Sequence, residues 1–162
     1  MIAVNTPQVS SETRSELAAH LDLGRRGEEL AAAYLAQAGY RLVAANFSLP
    51  VGRNRGGATI SVEIDLVAYD GETLCFVEVK TRASDWFAPP EANVDLRKQR
   101  QVARAARVYR RMLGLLGQPY RYDVVTVLLP AEGDGEFEIQ LLRNYWTDDK
   151  LRKRVWSERH WE

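Results

Sequence analysis

The apolar positions of this chain change period along its length, and the changes mark out its elements. A helical spacing covers residues 11–38, with Gly24 and Gly27 as the places where it would break. Its strongest stretch is GEELAAAYLAQAG, in which Ala31, Leu35 and Ala38 form one stripe and Gly39 supplies a C-terminal stop. A short strand is predicted over residues 41–47. The following segment, SLPVGRNRGGATI, is rich in Gly and Arg and predicts a long, mobile loop. Strands over residues 60–69 and 73–81 flank an Asp70-Gly71 turn, a strong hairpin signal. A loop with Pro89 and Pro90 leads into a helix over residues 92–116, with Val102, Ala105, Ala106, Tyr109, Met112, Leu113 and Leu116 on its apolar stripe. The run YDVVTVLL, residues 122–129, is nearly all apolar, as in a central strand covered on both faces. A further strand is expected over residues 137–142, and a last helix after Asn144 with Thr147 as its cap.

The order α-β-β-β-α-β-β-α predicts an α/β fold, a mixed sheet with helices on its faces. Residues 1–22 read as an N-terminal extension, loose at its start and then helical; 23–146 form the main domain, and 147–162 a helical tail. At 162 residues, with 46% hydrophobic and 27% charged content, the chain has the size and composition of one globular domain. No window is apolar enough for a membrane span, and residues 1–20 lack the charged start and apolar run of a secretory signal. The single cysteine, Cys75, excludes an internal disulfide and fits a reducing, cytoplasmic setting. One cysteine with two distant histidines, His20 and His160, gives no structural zinc set.

The formal net charge is zero, but its distribution is uneven. From Leu96 to Tyr122 there are eight basic residues and no acid. Five of them, Arg97, Arg100, Arg104, Arg107 and Arg111, recur at 3-4-3-4 spacing on the helix face away from its apolar stripe. A solvated face built on i, i+4 ion pairs would interleave acids; this one does not, which favours contact with phosphates. Lys98 lies instead on the apolar stripe, pointing inward at the helix start. Arg53 and Arg55 of the Gly-Arg loop are further candidates for touching nucleic acid. No Gly-x-x-x-x-Gly-Lys phosphate loop is present, so nucleotide triphosphate use has no support.

The hairpin carries the candidate chemistry. If its loop is symmetric about Asp70-Gly71, partner numbers add to 141, so Asp65 faces Phe76 and Glu63 faces Glu78. Alternation then puts Glu63, Asp65, Glu78 and Lys80 on one face, with Asp65 and Glu78 diagonal neighbours. Carboxylates across a strand pair repel, and such a set calls for a compensating cation: Lys80, or a divalent ion suited to hard oxygen ligands. Glu-x-Lys alone is common as an exposed ion pair; the Asp on the partner strand is what makes the set informative. Glu28 shares the inward stripe of Ala31 and Leu35, where a carboxylate needs a partner. Near a helix start it also has the bland role of complementing the macrodipole. Cys75 points to the other face of the hairpin and reads as core. Asp123 reads as a structural hydrogen-bond acceptor.

The stretches G-x-x-G-E-E-L-A-A-A-Y-L-x-x-x-G-Y, E-I-D-L-V-A, F-V-E-V-K-T-R, a basic helix start and R-Y-D-V-V, in this order from Gly24 to Trp146, resemble the YraN family. That family belongs to the PD-(D/E)XK nuclease superfamily and is similar to its Holliday-junction resolvases. The resemblance implies a restriction-endonuclease-like fold with an αβββαβ core. It implies metal-dependent cleavage of DNA phosphodiester bonds, on branched or structured DNA, with Mg²⁺ or Mn²⁺. On this sequence the motif's residues fall on Asp65, Glu78 and Lys80, with the helix glutamate on Glu28 and a strand carbonyl at Val79 as a further metal ligand. Glu63 and Lys98 become helpers. Two departures stand out: the usual Gly before Glu-Ile-Asp is Val62, and the segment after Arg82 reads WFAPPEANV. A rival reading keeps the fold without the cleavage, as a nucleic-acid-binding or assembly protein. A third uses the tail from Lys150 to Trp161, with its basic residues and tryptophans, to pair two subunits or bind another protein.

Overall fold

The computed structural model describes residues 11–83, 94–131 and 135–152. Its elements are α1 (Ser11–Gln37), β1 (Arg41–Arg53), β2 (Thr59–Asp70), β3 (Thr73–Ala83), α2 (Leu96–Met112), β4 (Tyr120–Leu129) and β5 (Glu138–Trp146). The five strands form one sheet in the order β1-β2-β3-β4-β5. Every neighbouring pair is antiparallel except β3 and β4. A parallel pair cannot be joined by a tight turn, and α2 supplies the crossover. The result is an α/β, restriction-endonuclease-like sheet with a helix against each face, as expected.

Each face buries its own core. Val102, Ala105, Ala106 and Tyr109 of α2 pack on Phe76, Tyr122, Ile64 and Leu49. Ala31 and Leu35 of α1 pack on Leu66, Cys75, Val77 and Val125. Cys75 is fully buried. Trp146 is buried too, its ring stacked 4.8 Å from that of Tyr122, so it serves packing. Trp86, Trp156 and Trp161, the Pro89-Pro90 segment and most of the tail lie outside the described residues; residues 148–152 are helical. Among the described residues no helix is long and apolar enough to cross a membrane.

Three expectations need correction. First, α1 runs through Gly24 and Gly27 without a break. Second, most of the Gly-Arg segment is strand: β1 pairs with β2 as far as Arg53↔Thr59, leaving only a short turn. Leu49 and Val51 are buried, continuing from Phe47 an alternation that Pro50 and Gly52 disguise. Pro50 is tolerated because β1 is an edge strand. Third, hairpin partners add to 143, as in Asp70↔Thr73 and Leu66↔Val77. The two loop residues are Gly71 and Glu72, with Gly71 at φ 59°, so the glycine takes the first central position, as in a type II′ turn. The predicted pairs Asp65–Phe76 and Glu63–Glu78 are therefore not made. A slip of two preserves side-chain parity only where the strands are paired, and Glu63 and Asp65 lie beyond the last pair, Leu66↔Val77. The expected common direction is not kept. Glu63 lies between Val62 and Ile64 of the α2-side core and so points to the opposite face from Glu78, which lies between Val77 and Val79 of the α1-side core.

The predicted helix over 92–116 starts and stops inside those limits. Asp95 caps α2, its carboxylate accepting the Lys98 backbone N–H at 2.8 Å. Gly114, at φ 68°, ends it, with the Leu115 N–H donating back to the Arg110 carbonyl. Gly39 ends α1 in the same way, as its sequence position predicts.

Candidate metal centre

A kink in two strands opens the site. Ile64 buries in the α2-side core, while Leu66, two residues on, buries in the α1-side core. Regular alternation would put both on one face. In β1 the same change of phase occurs at Asn46, which has φ 48° and stands between Ala45↔Leu66 and Phe47↔Ile64, opposite Asp65. Asn is among the few side chains that accept left-handed backbone. Pairing of β2 with β3 stops at Leu66↔Val77, so the strands diverge just where Asp65 begins. Its carboxylate fills the fork, Oδ2 accepting the Val79 N–H at 2.8 Å.

The fork is reached from both faces. From the α1 side comes Glu28, brought close because Gly27 lies directly on Thr81 of β3, where a Cβ would overlap the threonine hydroxyl. Carboxylate oxygens of Glu28, Glu63 and Asp65 all lie within 4.8 Å of one another. From the α2 side comes Lys98, 3.6 Å from Glu78 Oε2, while Lys80 Nζ lies 3.3 Å from Oε1. Glu78 is only 4% exposed, and its Oε2 accepts no hydrogen bond.

The structure thus brings together Glu28, Glu63 and Asp65 as one acidic triad, with Glu78, Lys80 and Lys98 as an ion cluster beside it. Val79 meets the site through its N–H, which donates to Asp65. Glu63, expected only as a helper, stands among the triad. Asn46 was missed from sequence, although it hydrogen-bonds Glu28. The one available signal was the jump in alternation between Ala44 and Phe47.

The electrostatics are those of a site short of positive charge. Burial pushes the Asp65 carboxyl up to about 7, and the charges of Glu78 and Glu28 add to the rise; the Val79 N–H and Lys98 oppose it. Glu28 is also raised, by burial first and then by Glu63 and Glu78, against the hydrogen bond from Asn46. Two oxygens on opposite sides of a Mg²⁺ ion lie about 4.2 Å apart, from ligand distances of about 2.1 Å. The triad's span is close to that, so these residues fit a hard divalent cation.

The arginines of α2 divide by exposure. Arg97, Arg100, Arg104, Arg107 and Arg111 are exposed, and among the described residues none pairs with a carboxylate. Arg53 donates to the Gly57 carbonyl at 3.1 Å and closes its own turn, and Arg55 sits exposed at the tip. Asp123 plays the structural part expected of it. Wholly buried, it accepts from Arg121 Nε at 2.9 Å and from the Asn144 N–H at 2.9 Å.

Known proteins similar to this chain share one family name. A UPF0102 protein of Moorella thermoacetica is 42% identical over 109 residues, covering 67% of this chain and 82% of its own length. Another from Geobacter sulfurreducens is 44% identical over 107 residues, covering 66% and 76%. A third, from Chlorobaculum tepidum, is 46% identical over 109 residues, covering 65% and 74%. The profile described as "Uncharacterised protein family UPF0102" matches residues 27–127, which include the triad, the ion cluster and all of α2. The chain belongs to UPF0102, the YraN family.

Proposed function

We propose that this protein is a metal-dependent endonuclease that hydrolyses DNA phosphodiester bonds, with Mg²⁺ or Mn²⁺ as its ion. One observation carries the reading: three carboxylates from two elements converge within 4.8 Å at a fork in the sheet, with two lysines alongside. Packing like charges together costs stability, and the cost is understandable where a cation is to be held. Glu28, Glu63 and Asp65 would hold the ion, with Glu78 and the Val79 carbonyl as further candidates. Bound there, it would supply positive charge to the phosphoryl oxygens and lower the pKa of the attacking water.

The chain's own residues then divide the remaining work. The Val79 N–H fixes the Asp65 carboxylate. Asn46 fixes Glu28. Glu78 pairs with both Lys80 and Lys98 and holds them beside the triad. Lys80 orients the attacking water or steadies charge on the phosphate as it develops. The exposed arginines of α2 seat the nucleic acid through its phosphates.

The non-cleaving reading has one observation in its favour, the pairing of Glu78 with both lysines, which gives that carboxylate partners without a metal. A single screen separates the two. Plasmid, linear duplex, single-stranded and four-way-junction DNA are incubated with Mg²⁺ or Mn²⁺, or with chelator. Cleavage should require metal and vanish in Asp65→Ala. Binding without cleavage of any form, with the metal site loaded, would leave the binder reading standing.

A further inference from the structure

Beside the exposed crest of α2 runs a groove of about 790 Å³, between that helix and the helical turn at residues 148–152. It is of the size of an ordinary ligand site. Its lining combines two chemistries. Arg100, Arg107 and Arg152 stand at its rim, and Ala103, Leu116 and Leu151 form apolar walls. Arg110 belongs to it as well, 7% exposed, with its guanidinium 3.5 Å above the Tyr120 ring. It donates to the Leu116 carbonyl, but its Nε has no partner, and no carboxylate pairs with it among the described residues. Among the described residues the groove's one acid is Asp148, which is occupied by the hydroxyls of Tyr120 and Tyr122.

A buried cation without an anion is costly, and the groove around it carries an excess of positive charge. Phosphate answers the arginines. It does not answer the leucines. A duplex lying on α2 would meet the arginine crest with its phosphates and leave the apolar walls uncovered, because its bases are stacked inside. An unpaired strand offers both parts: phosphates for the rim, and base faces for the walls.

We infer that this groove binds unpaired nucleotides, so that the substrate carries a single-stranded segment next to the bond presented at the metal centre. This rests on the reading of the protein as a nuclease that acts along α2. From Lys98 to Arg110 the helix advances about 18 Å. That corresponds to roughly five nucleotides of a strand in helical register, at about 3.4 Å each.

The test is a binding measurement on the full chain in chelator, by fluorescence anisotropy with a labelled oligo-dT and a blunt duplex of equal length. Arg152→Glu and, separately, Leu116→Asp should each weaken oligo-dT binding at least tenfold and duplex binding less than threefold; both positions are exposed, so each variant is expected to fold. Equal losses for the two probes, no loss in either variant, or a wild-type protein that does not bind oligo-dT would overturn the inference. Intact oligo-dT binding by a protein that cuts none of the plasmid, linear duplex, single-stranded or four-way-junction forms under Mg²⁺ would count against the nuclease reading and leave the groove standing.

Discussion

The carboxylate of Asp65 takes the place of a strand, its Oδ2 accepting the Val79 N–H at 2.8 Å beyond the last paired residues of β2 and β3. A side chain thereby satisfies a backbone donor that the diverging strand has abandoned. Asp65 is consequently buried, beside Glu78 and Glu28, with its carboxyl raised to about 7. From this follows a dependence of stability on pH. Between about pH 4 and pH 7 the folded protein keeps a proton that the unfolded chain has released. Stability is therefore lost as pH rises through that window, by a few kcal/mol at most. Asp65→Asn keeps an acceptor for Val79 and removes the cost. Without metal, the variant should be more stable than the wild type at pH 8 by about 1–3 kcal/mol, the advantage shrinking toward zero at pH 4. Urea denaturation at a series of pH values measures it, and a constant difference would contradict it.

The same substitution should abolish stabilisation by metal. An ion that binds only the folded state at a hundred times its Kd adds about 2.7 kcal/mol. Added Mn²⁺ should raise the wild-type melting temperature, chelator should reverse the rise, and Asp65→Asn and Glu28→Gln should show little of it. An equal rise in wild type and variants would place the ion elsewhere.

Glu78 and its two lysines behave as one unit. With a carboxylate only 4% exposed and cations at 3.3 and 3.6 Å, losing one lysine leaves the other in place, whereas losing both leaves a buried charge unpaired. Lys80→Met and Lys98→Met should each cost about 1 kcal/mol, and the double variant more than their sum. Lys80→Ala should also eliminate cleavage while the far-ultraviolet circular dichroism stays that of the wild type. Additive losses would show that the lysines do not share Glu78, and undiminished cleavage would remove Lys80 from the chemistry.

Gly27 is required by contact. A Cβ there would overlap the Thr81 side chain, and relief would push α1, and with it the adjacent Glu28, away from β3. Gly27→Ala should cost about 1–3 kcal/mol and weaken Mn²⁺ binding as well. Adding Thr81→Gly, which removes the obstructing atoms, should restore part of both. Full stability in the single variant would show that the helix seat is looser than this contact implies.

How much of this the sequence made legible follows from the range of each signal. Alternation in the hairpin and helical spacing around Ala31 and Leu35 are local, and they placed the elements, the shared direction of Glu78 and Lys80, and the inward aim of Glu28, but not the turn of Glu63 to the opposite face from Glu78. The hairpin register rests on whether the glycine takes the first or second turn position, and Asp-Gly suggested the second. The extension of β1 was hidden because Pro50 and Gly52 imitate a loop, although the edge of a sheet accommodates them. The phase change at Asn46 and Asp65, which opens the fork, depends on two strands kinking together. Neither strand announces that alone. Nor could spacing show that Arg110, one residue from the exposed Arg111, turns inward onto Tyr120.

The exposed arginines of α2 make a quantitative expectation under the proposed function. If Arg97, Arg100, Arg104, Arg107 and Arg111 each neutralise one phosphate of a duplex, the logarithm of affinity should fall with the logarithm of salt at a slope of about −4.5. Replacing Arg97 and Arg111 by Gln should lower the magnitude of that slope by about 2, since each contact releases about 0.9 counterion. Arg53→Gln should change it little, because that guanidinium is engaged by the Gly57 carbonyl within its own turn. Anisotropy titrations of a labelled duplex over a series of potassium chloride concentrations give the slopes directly. A slope unmoved by the α2 substitutions would transfer the phosphate contacts to another face of the protein.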